Sequence, residues 1–382
     1  SLMARAPREQ EIEVFPEADS LEGFPHPRFT ARLFGQGEAE AQLAEGLAGG
    51  RLHHAWMLVA PEGVGKATLA YRFAKRALQR DDGGGGLFGE AAAPVGLDVD
   101  PSAPAARLVE ALSHPDLLVL RRPYDIRNKR FKTAITVDEV RRLRGFLGHR
   151  ASGGAHKVVI VDSADELNVN AANALLKALE EPPERVVFLL ICSMPGRLLA
   201  TIRSRCRLLM LQPLGHGDLE AAARQALAAA KIDVPAAEDW PALMTAAGGS
   251  VRRLLSLVGD NGAGLARRVD ELLDHAVRGN WSRVHQLTDA LSGVQAAASF
   301  DAFVELLTVR LAGMIRAAAT GEGETGDVEA ARRLRVGDDL ASWAELWETL
   351  VREKALQGTL NLDRKGFLLE AARRLGRLSG RG

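Results

Sequence analysis

Five short apolar runs constrain this chain more than any other feature: WMLVA (56–60), DLLVL (116–120), KVVIVD (157–162), VVFLLIC (186–192) and RLLML (207–211). Runs this continuous, without apolar–polar alternation, suit strands buried on both faces, the situation in a parallel sheet whose crossovers are helices. Segments of helical period separate them, among them ATLAYRFAKRAL after the first run and VDEVRRLRGFL (137–147) before the third. In NVNAANALLKALEEPP (168–183), Ala171, Ala174, Leu175, Ala178 and Leu179 share one mainly core-directed face, and Pro182 with Pro183 ends the helix. Strands alternating with helices predict a doubly wound α/β domain built on a five-stranded parallel sheet.

Around this domain the chain changes character. The first thirty residues, rich in Pro and charge, read as a loose arm, followed by an amphipathic helix in LFGQGEAEAQLAEGLAGGRL that carries Leu43 and Leu47 and ends near Gly49 and Gly50. Residues 82–106 form a low-complexity insertion of Gly, Ala and Pro, expected to be mobile. After Pro213 strand signals stop, and Ala, Leu and Arg recur with helical period, interrupted by Gly-containing loops at 259–264 and 320–326. No repeat of fixed period supports a solenoid.

Composition narrows the class. A chain of 382 residues, 47% hydrophobic and 26% charged, is expected to form a soluble protein of several domains. Lys plus Arg and Asp plus Glu are both 49, so any contact with nucleic acid must come from a local patch. RRPYDIRNKRFK (121–132), with Tyr124 and Phe131 interleaved, reads either as such a patch or as a solvated hairpin. Cys192 and Cys206 are too few for a disulfide framework or a four-thiolate zinc site. No run approaches the roughly 20 apolar residues of a membrane span, and SLMARAPREQ lacks the apolar centre of a signal peptide, so a cytoplasmic location is expected. Ser1 and Leu2, ahead of Met3, read as an expression scar.

The chemistry is concentrated in APEGVGKAT (60–68), close to the phosphate-loop pattern G-x-x-x-x-G-K-[ST]. There, backbone N–H groups at a helix N-terminus surround phosphates, the Lys reaches the outer ones and the hydroxyl binds Mg²⁺. Gly63, Gly65 and Lys66 are in place, but Ala60 replaces the first Gly and Ala67 the hydroxyl. Thr68 lies about 100° further round the helix, out of line for the metal. The stretch alone fits a nucleotide site or an ordinary strand-to-helix turn. KVVIVDSAD shifts the balance, because Asp162 ends an apolar strand as a metal-holding Walker B carboxylate does. An ATPase of this kind would follow it with a water-activating Glu; this chain has Ser163, a poor base near neutral pH. Asp165 and Glu166 suit helix capping near Leu167 and Asn168 at least as well as catalysis. Ser193, at the end of the fourth apolar run, stands where a γ-phosphate sensor would.

With the GQ before it, GRLHHAWMLVAPEGVGKATLA, together with SHPDLLVL, KVVIVDSADELNVNAANALLKALEEPP and LLATIRSRCRLLML, resembles the bacterial clamp-loader subunits of the AAA+ superfamily, over about residues 28–260. The helical tail matches only loosely. The resemblance implies an arm with the scar (1–27), a P-loop AAA+ domain (28–212) holding the 82–106 insertion, an all-α lid (213–262) and an all-α collar for oligomerisation (263–382). The family contains ATP-hydrolysing gamma or tau motors and a delta-prime type that does not hydrolyse ATP. Ala67 and Ser163 align this chain with the second.

Carried over from the family, Arg205 of Ser204-Arg205-Cys206 is an arginine finger acting in trans, and Arg252 of GGSVRR (248–253) falls on the sensor 2 position of a lid helix. The bland readings, surface arginines, stand beside both. ATP or ADP is expected to bind weakly and Mg²⁺ not firmly. His114-Pro115-Asp116 is present without the four Cys that bring the family's zinc module, so no zinc is expected. The implied role is a subunit of the DNA polymerase III holoenzyme without catalysis of its own, assisting ATP-dependent loading of a sliding clamp onto primed DNA beside gamma/tau and delta-type partners. An autonomous gamma/tau-like ATPase, with Thr68 and Asp165 or Glu166 compensating, and a purely scaffolding subunit are the competing readings.

Overall fold

The computed structural model describes residues 16–79, 96–148, 151, 156–259, 262–293, 297–323, 325–360 and 363–379. The chain divides into two compact units, one of Ser1–Ala31, Glu38–Ala60 and Lys66–Leu211, the other of Arg32–Gly37, Pro61–Gly65 and Gln212–Gly382.

In the first unit the strands are Ala55–Val59 (β1), Leu117–Arg121 (β2), Tyr124–Asp125 (β3), Arg130–Phe131 (β4), Lys157–Asp162 (β5), Val186–Cys192 (β6) and Arg207–Met210 (β7). Five of them form one parallel sheet in the order β2-β5-β6-β1-β7, and β3 pairs with β4 as a separate hairpin. All five apolar runs are therefore strands, and every residue of β1, β5 and β6 is buried. Helices Gly37–Ala48 (α1), Lys66–Ala77 (α2), Pro104–Glu110 (α3), Val137–Leu147 (α4), Val169–Glu180 (α5) and Ala200–Arg203 (α6) connect them. Met57, Val159, Phe188 and Leu190 pack with Val140 and Leu143 of α4 and with Leu175 and Leu179 of α5 in one core. Strand alternation turns Trp56 and Leu58, both buried, to the opposite face. On α2, Leu69 and Phe73 are fully buried, and α2 contacts β5 and β6.

The chain starts in β1, crosses to the far edge at β2, returns through β5 and β6 and passes β1 to reach β7. The loop after β1 thus opens at the carboxyl ends of the strands beside a reversal of strand order, where open α/β sheets bind ligands. This is the five-stranded parallel sheet with flanking helices expected from the sequence.

Two expectations need correction. The end of the presumed insertion is folded: α3 begins at Pro104, and Leu97, Ala105, Ala106 and Val109 are buried. Proline suits the first helical position because its fixed φ fits the helix and the N–H it lacks would have no intrahelical partner. The small residues after it then give α3 an apolar face against α2. Residues 82–95 lie outside the described residues. Nor is the arm loose over its described part: a 3₁₀ turn at Pro27–Phe29 packs on α2 and α3, and Lys75 Nζ donates to the Arg28 carbonyl at 2.7 Å. Residues 1–15 lie outside the described residues.

From Gln212 onward the described residues contain helices and no strand: His216–Ala230 (α7), Trp240–Ala247 (α8), Val251–Gly259 (α9), Gly262–Val277 (α10), Trp281–Ser292 (α11), Ala297–Thr320 (α12), Thr325–Arg333 (α13), Leu340–Leu360 (α14) and Arg364–Leu378 (α15). Phe300, Phe303, Leu307, Leu273, Trp343 and Leu368 centre a continuous core. Arg310 on α12 pairs with Asp327 of α13 and with Asp270 of α10 at 3.0 Å, tying three helices at once. No helix among the described residues is long and apolar enough to cross a membrane.

The N-cap of α5 gives a direct test. Asn168 accepts the Ala171 N–H at 2.8 Å, so Asn168→Ala should cost about 1 kcal/mol, measured by urea unfolding, with Asn168→Asp close to the parent.

Candidate functional site

The carboxyl ends of β1, β5 and β6 bring together three of the residues singled out in the sequence. Lys66, the first residue of α2, is buried, and its Nζ donates to the Ala60 carbonyl at 2.7 Å and to Ser193 Oγ at 3.1 Å. The amine thus turns back on the strand that precedes its own loop and on the end of β6. Asp162 ends β5 beside them and is also buried. Thr68 is buried within α2 and is one helical step from Ala67.

Asp162 is in an unusual setting. Its register partner on β2 is Arg121, but the Arg121 guanidinium goes to the N-terminal arm instead, at 2.9 Å from Asp19 Oδ1 and 3.0 Å from Glu17 Oε2. Glu17 also pairs with Arg28, and His26 closes the group: its Nδ1 accepts the Arg28 N–H at 3.1 Å, and its Nε2 stands 2.7 Å from Asp19 Oδ2. Asp162 is left facing the Asp19 carboxyl. Ser163 Oγ donates to Asp162 Oδ1 at 3.2 Å, whereas the buried Tyr71 hydroxyl finds no hydrogen-bond partner among the described residues.

Burial, then the charge of Asp19, pushes the Asp162 carboxyl far above the ordinary carboxylate range, to about 8. For Asp19 burial acts the same way but is outweighed by His26 and Arg121, which hold it down at about 2. Two acceptors in contact can bond only through a proton, and Asp162 is the one that keeps it near neutral pH. Ligand atoms of Glu17, Asp19 and His26 all lie within 4.8 Å of one another, but Arg28 and Arg121 already supply the opposing charge. At the phosphate-type loop, position 67 has no hydroxyl and the Asp162 carboxyl is turned to another acid. Sequence reasoning missed this group because its acids lie in a Pro-rich segment without periodicity; the signal available was the cluster of Glu17, Asp19, His26 and Arg28 within twelve residues.

Asp165 and Glu166 are not helix caps, since Asn168 fills that position. Asp165 accepts the backbone N–H groups of Ser193 at 3.3 Å and Met194 at 3.0 Å, and Glu166 pairs with Arg122 Nε at 2.7 Å. Both carboxylates are occupied in fixing the loops that flank the site.

The turn of the phosphate-type loop groups with the helical unit. Ser250 Oγ donates to the Glu62 carbonyl at 2.9 Å, the Val251 N–H to the Gly63 carbonyl at 2.8 Å, and Gln36 Nε2 to the Val64 carbonyl at 3.0 Å. Gly63 adopts a φ of +80°, and a methyl group there would lie 2.3 Å from Ser250 Oγ and 2.9 Å from the Arg252 backbone nitrogen. Arg252, second in α9, therefore begins the helix packed on this glycine. Gly65 has a φ of +107°.

Arg205 occupies the turn between α6 and β7. Its neighbours are fixed: Arg203 donates to the Pro195 carbonyl at 2.8 Å, and Arg207 lies over the Trp56 ring. Arg205 itself is partly exposed, with Nη2 2.8 Å from Glu180 Oε1 and Nη1 donating to the Thr201 carbonyl at 2.8 Å. It precedes β7, whereas Lys66, Asp162 and Ser193 lie at the carboxyl ends of strands parallel to it.

Residues 35–215 match the family model described as DNA polymerase III, delta subunit. A DNA polymerase III subunit delta′ of Pseudomonas aeruginosa is 39% identical over 204 residues, 53% of this chain and 55% of that protein. Over this segment, just under half of the chain, the protein is similar to DNA polymerase III delta-prime subunits. The delta′ subunit of Escherichia coli is 37% identical over 164 residues, covering 43% of this chain and 44% of its own length. The tau/gamma subunit of Haemophilus influenzae is 33% identical over 234 residues, 60% of this chain and 30% of that protein. The chain thus spans about half the length of the delta-prime relatives it matches.

Two outcomes test this site. Because the folded protein holds a proton on Asp162 that the unfolded chain releases above its ordinary value of 3.8, this group's contribution to stability falls as pH rises from there to about 8. Asp162→Asn, which can still donate to Asp19, should remove that decline and raise stability at pH 8 by about 1–3 kcal/mol in denaturant titrations. Gly63→Ala, by contrast, should lower stability by about 2–4 kcal/mol through the clash and the left-handed backbone, seen as a fall in Tm.

Proposed function

We propose that this protein is a delta-prime subunit of the DNA polymerase III clamp loader, assisting ATP-dependent loading of a sliding clamp onto primed DNA by presenting Arg205 to the nucleotide of a neighbouring subunit. The observation that carries this reading is the placement of Arg205 ahead of β7, at the opposite end of the parallel strands from its own Lys66. The length of β7, about 10 Å of strand rise, intervenes. A guanidinium there faces outward, where it can neutralise charge developing on a phosphoryl group held by another chain. Its partners on this reading are gamma/tau and delta-type subunits, the clamp and primed DNA, in the cytoplasm.

The same reading gives the protein little catalysis of its own. Binding a triphosphate requires Lys66 to leave the Ala60 carbonyl and Ser193, so ATP or ADP binds weakly. With Ala67 and a protonated Asp162, metal adds little. Gly63, Gly65 and Ser193 remain as the frame of a phosphate-binding loop, Thr68 as a core residue of α2, and Arg252 as the start of the lid helix. An autonomous ATPase would need Asp165 or Glu166 as base, and both are engaged in other bonds.

ATP turnover tests the proposal. The isolated chain should turn over no ATP. A complex reconstituted with gamma/tau and delta-type subunits should lose about 10³-fold or more in turnover with Arg205→Ala. Turnover by the isolated chain that Lys66→Ala abolishes would favour the autonomous ATPase, and an unaffected Arg205→Ala complex would favour the scaffold. Calorimetry with ATP should give the same weak affinity with and without Mg²⁺.

A further inference from the structure

We propose that Glu180 is a positioning residue for Arg205, a carboxylate that holds the finger's guanidinium on its own subunit until a more highly charged anion displaces it. The inference rests on the reading of Arg205 as a residue that acts in trans.

Glu180 is the last residue of α5, where Pro182 and Pro183 prevent the helix from continuing. An acid at that end faces the negative pole of the helix and is unfavourable there unless a cation compensates it. Arg205 supplies that cation, with Nη2 2.8 Å from Glu180 Oε1, while Nη1 donates to the Thr201 carbonyl at 2.8 Å. Two anchors, one on each terminal nitrogen, fix the plane of the guanidinium. Of its five N–H groups they leave the remainder for an incoming ligand.

The strength of the hold matters as much as its geometry. The side chains of Arg205 and Glu180 are 35% and 44% exposed, so water screens their attraction. The Arg310 pairs in the helical unit differ: there the arginine side chain is only 10% exposed. Arg203 and Arg207, on either side, are held by a carbonyl and an aromatic ring rather than by an acid. Arg205 is therefore the arginine of this turn whose charge is balanced by a group that can be exchanged. A single carboxylate competes poorly with the terminal phosphoryl of a nucleoside triphosphate, which carries more charge and three acceptor oxygens. Against weaker anions the carboxylate prevails, so Glu180 sets how much negative charge a neighbour must present before the finger engages.

The test is a double-mutant cycle in the clamp loader reconstituted with its gamma/tau and delta-type partners, reading KM for ATP and kcat separately. Glu180→Gln keeps a hydrogen-bond acceptor and removes the charge; it should lower KM by about two- to fivefold, the range expected of an exposed pair, with kcat unchanged. Glu180→Asp should return KM toward the parent value. In an Arg205→Ala background Glu180→Gln should have no effect. An unchanged or raised KM in the single variant, or an equal shift in both backgrounds, would leave Glu180 a structural end to α5 and overturn the proposal. The reading of Arg205 fails separately, and this proposal with it, when Arg205→Ala alone leaves turnover unaltered.

Discussion

A parallel sheet buried on both faces has a geometric consequence that orders the first unit: every strand ends along the same edge. Each connection must return over a face of the sheet before the next strand can begin. A residue just past the end of one strand is therefore separated by a strand's length from a residue just ahead of the start of another. Lys66, Asp162 and Ser193 lie at the ends of β1, β5 and β6 and meet at one rim. Arg205 precedes β7 and stands at the other. The lysine of the phosphate-type loop and the partly exposed Arg205 are thus kept on opposite rims of one sheet.

The rim near Lys66 is stabilised as a closed polar structure. Lys66 is satisfied by a carbonyl and a hydroxyl, Asp165 by two backbone N–H groups, and Arg121 by the acids of the arm. Asp162 is buried and faces another acid, and burial with the Asp19 charge keeps its proton on despite the nearby Lys66. Low dielectric strengthens each bond in this network and equally penalises a group left out of it. The departures in sequence, Ala67 and Ser163, thus lie beside a network in which the neighbouring polar groups are turned to one another.

Much of this was legible before the structure. The strands were visible because residues such as those of VVFLLIC have no polar alternation, which only a doubly covered strand tolerates. The helix of α5 was visible from the spacing of Ala171, Leu175 and Leu179, and its stop from Pro182 and Pro183. Lys66, Asp162 and Ser193 could be expected at one site because each comes at or after the end of an apolar run. The arm was not legible, since the charges of Glu17, Asp19 and Arg28 resemble those of a solvated segment until the fold brings Arg121, some hundred residues away, against them. Nor was α3, whose Pro and Ala residues share the composition of the stretch before them. The pairing of Arg205 with Glu180 was hidden for the same reason: a contact across 25 residues carries no local pattern.

The turn at Gly63 has a wider consequence for how such loops are interpreted. There a side chain is forbidden by Ser250 and the backbone of Arg252, and three consecutive carbonyls are held by groups of the helical unit. A glycine required for room and a glycine required for phosphate leave the same letter in a sequence. A loop of this kind can keep its motif through packing alone, so a motif search would count it among nucleotide sites whether or not a nucleotide ever entered it.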